Sequence, residues 1–184
     1  MIKASWRICF LGWAALFLSA APVLPGTSQG WLDVERMLDG IAFVESSSGR
    51  FLVGDGGKSL GMFQLSRKAW ADVNKAREKA GLATYSYDRN VMNHDINRAY
   101  ARDFITILQA RLKSTLGHTP SVEQVYASFN MGFEGFRRCG FDVNRVNKIT
   151  RYNCIRVRNS YETASIELAM ASRESDQSDD QFVD

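Results

Sequence analysis

The chain has 184 residues, with 23 basic and 20 acidic side chains and a formal net charge of +3, a size that suits one domain. Two histidines, no H-E-x-x-H and no cysteine pairs exclude the common zinc patterns. There is no G-x-S-x-G to support a serine hydrolase, and no cofactor is called for.

The first residues carry Lys3 and Arg7, then an apolar run over residues 8–24, with Ser19, Ala20 and Ala21 as small residues at an exit. That layout predicts a secretory signal peptide over residues 1–21. The alternative is an uncleaved anchor, because the run lies at the lower limit for a spanning helix. Arg7 and Ile8 before Cys9 argue against lipid anchoring. Export to a periplasm or the exterior removes Cys9 and leaves Cys139 and Cys154 in an oxidising compartment. They are expected to form a disulfide, worth about 3 kcal/mol. No stable membrane insertion is expected once the signal is gone.

Val34, Leu38, Ile41 and Val44 recur at three- and four-residue spacing, which predicts a first helix ending near residues 46–50. Ser66 caps a second over 67–80, stopped by Gly81. Ile96, Tyr100, Phe104, Leu108 and Leu112 mark one face of a long core helix ending at Gly117. Thr119 and Pro120 read as N-cap and first residue of the next helix, which runs to Gly132. A last helical region starts near Val143. Residues 172–184 are acidic and serine-rich, which predicts a disordered tail. No alternating strands stand out, so the fold class is mainly α, one domain over residues 31–165.

Residues 54–59, GDGGKS, invite a phosphate-loop reading, but Leu52 stands where the opening glycine belongs. A basic stretch follows later: Arg137, Arg138, Arg145, Lys148, Arg151, Arg156 and Arg158 face only Asp142 within residues 137–158. Such a patch suits an anionic polymer, or it is a solvated helix face.

Four short elements in order carry a resemblance. Glu45-Ser46 with Gly49, then Gly61-Met62-Phe63-Gln64, then an Asn97-led helix with Ala101 and Phe104, then Ala127 to Gly132, together resemble the lysozyme-like superfamily, in particular soluble lytic transglycosylases and goose-type lysozymes. Phe129 replaces the usual tyrosine of the last element, with one residue inserted after Ala127. The resemblance implies a lysozyme-like fold and Glu45 as the catalytic acid. It implies Ser46, Gln64 and Asn130 along a sugar cleft, with Tyr152 as a late active-site tyrosine. It also aligns Asp55 with a goose-type acid opposite Glu45. Taken alone, Glu45 reads equally as a helix-end residue, and Asp55 as an Asx-turn residue.

The implied substrate is peptidoglycan, cut at the β-1,4 MurNAc–GlcNAc bond. A single Glu suffices for transglycosylation, in which the muramyl C6 hydroxyl closes on the sugar as a 1,6-anhydro product. An inverting hydrolase needs a second carboxylate for water, a role open to Asp55. Trp70, Tyr85, Tyr87 and Phe133 are either aromatic cleft walls or core. A non-catalytic wall-binding module with cell-envelope assembly partners is the rival class; the signal segment argues against nucleic acid.

Overall fold

The computed structural model describes residues 31–179. The signal peptide read over residues 1–21, and Cys9 with it, lie outside them. Among the described residues no helix is long and apolar enough to cross a membrane.

The chain is mainly helical, with one small sheet. Helix α1, Val34–Ser46, starts where the Asp33 carboxylate accepts from the backbone N–H groups of Glu35 and Arg36, the usual N-cap arrangement. It ends because Ser47 turns into the left-handed region at φ 52°. Its Met37, Leu38, Ile41 and Ala42 face the core. On the same helix Gly40 lies so close to Ser160 that an added Cβ would come within 3.2 Å of the Ser160 Cβ.

Strands β1, Val53–Gly54, β2, Ser59–Leu60, and β3, Leu65–Ser66, pair antiparallel in that order. Each has two residues, too short for alternation to be legible in sequence. The glycine-rich stretch is the tight turn between β1 and β2, a 3₁₀ turn over Asp55–Gly57.

Helix α2, Arg67–Lys79, is capped by Ser66, whose hydroxyl accepts from the Ala69 N–H, as expected. A short α3, Tyr87–Asn90, leads to α4, His94–Leu116, which stops at Gly117 with φ 75°. Helix α5, Val122–Met131, begins two residues later than the sequence suggested. Ser121, not Thr119, is its N-cap, because Ser121 and Gln124 form a reciprocal capping box. Helix α6, Phe133–Arg138, and a 3₁₀ turn over Val143–Arg145 precede α7, Lys148–Asp179. Helical backbone thus covers residues 172–179, where composition pointed to disorder. Extending an established helix costs far less than nucleating one.

Helix α4 packs against α1, α2 and α5, and α7 against α1 and α5. Trp70 stacks on Tyr100 at 3.8 Å between ring centroids, and its indole N–H donates to the Tyr85 carbonyl. Trp70 and Tyr87 are therefore core residues rather than cleft walls. Arg77 of α2 and Asp103 of α4 form an ion pair with both side chains buried. Removing one partner of such a pair costs about 3–5 kcal/mol.

The expected disulfide is absent. Cys139 and Cys154 are free thiols. Cys139 ends α6, whereas Cys154 lies buried on α7 with its S–H donating to the Glu123 carbonyl of α5. Burial pushes the Cys154 thiol up to about 12, so its environment is that of an inert core residue.

Candidate functional site

Glu45 is the last residue but one of α1, at the point where the helix leaves the core. The Tyr126 hydroxyl of α5 donates to its Oε1 at 2.8 Å. The Asn130 amide, one turn further along α5, donates to the same oxygen at a longer 3.4 Å. Oε2 has no hydrogen-bond partner among the described residues. Burial pushes the Glu45 carboxyl above the usual carboxylate range; the two hydrogen bonds pull it down, and the nearby Asp55 charge adds to the upward push. Tyr126 is itself fully buried, and burial together with the Glu45 carboxylate holds its phenol protonated. The phenol is therefore kept as the donor to Glu45.

Asn130 is held from behind. Its Oδ1 accepts from the Thr150 hydroxyl at 2.9 Å, and the Thr150 hydroxyl accepts from the Asn147 amide at 2.9 Å. Asn147 also caps α7 through the Thr150 N–H. With Oδ1 engaged by Thr150, the Asn130 NH₂ is the end that faces Glu45.

Asp55 sits exposed in the β1–β2 turn at φ 49° and accepts from the Ser59 hydroxyl at 3.3 Å. It reaches Glu45 by charge rather than by contact. Ser46 is fully buried; its hydroxyl donates to the Ala42 carbonyl and accepts from the Gly49 N–H. Its polar capacity thus goes into the turn that ends α1.

Gln64 braces the same region. Its amide donates to the carbonyls of Phe51 and Gly61 at 3.2 and 2.8 Å, and its Oε1 lies where a Cβ on Gly54 would come within 2.2 Å. Asn97, buried on α4, accepts from the Phe63 N–H at 3.1 Å. At Gly61 (φ 79°) an added Cβ would meet the Asn97 amide at 2.4 Å and the Val91 carbonyl at 2.5 Å. Glycine is required there on both counts.

Comparisons with protein-family models, curated proteins and solved structures found no match.

The geometry therefore gathers Glu45, Tyr126 and Asn130 directly, with Asp55 near enough to act electrostatically. Tyr152 is not part of that cluster: it is exposed on α7, with the Arg156 guanidinium over its ring at 5.7 Å and over Phe43 at 4.9 Å. Sequence reading missed Tyr126 and Thr150. Tyr126 stood one helical turn before Asn130, a spacing that puts both on one face. Thr150 carried no comparable signal.

Proposed function

We propose that the chain is a lysozyme-like enzyme that cleaves the β-1,4 MurNAc–GlcNAc bond of peptidoglycan, with Glu45 as general acid. The observation that carries this reading is the asymmetric grip on Glu45. Two donors occupy Oε1, so a proton on the carboxyl resides on Oε2, which has no hydrogen-bond partner among the described residues. A glycosidic oxygen leaves poorly as an alkoxide, and a carboxylic acid whose proton is held more tightly through burial is suited to supply the proton it needs.

Lytic transglycosylation is the preferred course. Glu45 protonates the leaving oxygen, then as carboxylate takes the proton from the muramyl C6 hydroxyl as that oxygen closes on C1. One carboxyl serves both steps, and Tyr126 and Asn130 stabilise its ionised form between them. Inverting hydrolysis is the second reading, favoured by the Asp55 charge acting on Glu45; there Asp55 would activate water. A wall-binding module without catalysis is the third, and it gives no role to a buried carboxyl gripped on one oxygen.

Mass spectrometry of products from purified peptidoglycan, with Glu45→Gln alongside, separates the three. Anhydro-muramyl ends are expected. Reducing ends would transfer the chemistry to Glu45 and Asp55, and intact glycan after wild-type treatment would refute cleavage altogether.

A further inference from the structure

A cleft of about 450 Å³ opens beside the candidate site, between α2, α4 and the α5–α6 junction. That volume lies within the usual range for small-ligand sites, about 300–1,000 Å³. Its floor is apolar: Phe104, Leu108 and Phe129 line it, with Phe104 and Phe129 in ring contact at 5.5 Å. Asn130 lines the cleft as well, so a ligand lying there reaches the residue that donates to Glu45.

The rim is charged in a particular way. Glu134 is paired with Arg137 at 2.6 Å and with Arg111 at 3.7 Å, and the Arg111 guanidinium covers the Phe133 ring at 4.0 Å. Lys68 and Asp72 on α2 and Arg138 on α6 also line the cleft, are exposed, and make no ion pair among the described residues. Lys68 and Asp72 are one helical turn apart, a spacing at which opposite charges commonly pair, yet they do not. The cleft thus offers two uncommitted cations and one uncommitted carboxylate around an apolar floor.

We propose that this cleft binds a short zwitterionic peptide, its carboxylates against Lys68 and Arg138 and its free amine against Asp72, and that this peptide is the one borne by the glycan cut at Glu45. The inference rests on the glycosidase reading for the identity of the peptide. A neutral sugar would leave all three charges unused, and a purely acidic polymer would meet Asp72 as a repulsion. A peptide carrying both charges, with aliphatic carbons for the floor, uses every group.

The test is calorimetric titration of the Glu45→Gln chain with a synthetic wall tripeptide bearing two carboxylates and one free amine. It runs beside digestion of peptide-bearing and peptide-free glycan by the wild type. Binding is expected, weakened about tenfold by Lys68→Glu combined with Arg138→Glu, since each reversal removes a surface ion pair and adds a repulsion. Acetylating the peptide amine weakens binding to the unaltered cleft, a control independent of any variant's folding. Peptide that fails to bind, or binds the double variant equally, while both glycans are digested would overturn the peptide site and spare the glycosidase reading. Failure to digest either glycan would overturn the glycosidase reading and, with it, the assignment of the peptide to a cut strand.

Discussion

Tyr126 donates its hydroxyl proton to Oε1 of Glu45 at 2.8 Å, from a fully buried position on a different helix. The contact fixes which carboxyl oxygen is free and joins α1 to α5 at the site. If Glu45 is the general acid, Glu45→Gln keeps the accepting oxygen and loses only the transferable proton. Release of soluble fragments from peptidoglycan is then expected to fall by about 10²–10⁴-fold, with an unchanged circular dichroism spectrum.

The raised Glu45 carboxyl also has a stability signature. A carboxyl whose folded value lies above its unfolded one contributes stability fully below the unfolded value and loses it as pH rises through the folded one. Glu45→Gln lacks that titration. Thermal melts are expected to show the variant more stable than wild type at pH 8, with the margin shrinking towards pH 4. A margin independent of pH would mean that burial does not penalise the Glu45 charge.

Tyr126→Phe removes a hydrogen bond that favours the ionised carboxylate. The Glu45 value then rises further, and the alkaline limb of the pH–rate profile, which requires the protonated acid, moves to higher pH. The lost hydrogen bond costs about 1 kcal/mol of stability. A limb that stays in place would uncouple Tyr126 from the acid.

Thr150 acts on Glu45 only through Asn130. Thr150→Val keeps the shape and deletes the hydroxyl that holds the Asn130 carbonyl, freeing the amide to rotate. The kcat is expected to fall about tenfold, the equivalent of one lost hydrogen bond, while KM changes little. Thr150→Ser is expected to restore it, a rescue that general destabilisation would not give.

The sequence made the helical body legible because apolar spacing and caps agree at α1, α2 and α4: Ser66 starts α2 and Gly117 stops α4 where they were expected. It made the sheet illegible, since two-residue strands leave no period to read. At α5 the expected cap was Thr119-Pro120, and the reciprocal Ser121–Gln124 pair took its place. The acid and one amide of the site were visible as motif letters. Tyr126 was visible only as spacing. Thr150 was not visible, because its role depends on how the start of α7 docks beside α5. The cysteines misled because compartment and count say nothing of position.

Gly61 is where the β-sheet loop meets α4. Gly61→Ala places a Cβ against the Asn97 amide and the Val91 carbonyl at a left-handed φ of 79°. The expected cost is about 3 kcal/mol or more, combining backbone strain with overlap. Gly56→Ala, also left-handed at φ 63° but facing open space, is expected to cost only about 1 kcal/mol. Urea denaturation of the two variants measures the difference. Equal costs would mean that the Asn97 contact yields easily.

The free thiols give a test that needs no substrate. A Cys139–Cys154 bridge worth about 3 kcal/mol would make the melting temperature fall on the order of 10 °C on reduction. With Cys154 buried on α7, its S–H facing the Glu123 carbonyl, and Cys139 ending α6, reduction is expected to leave the melting temperature unchanged. A thiol reagent should label the partly exposed Cys139 in the native protein and reach Cys154 only after denaturant is added. Labelling of Cys154 at the same rate would show α7 lifting from α5. Because Thr150 stands one turn before Cys154 on that helix, such lifting would also release Asn130 from behind Glu45.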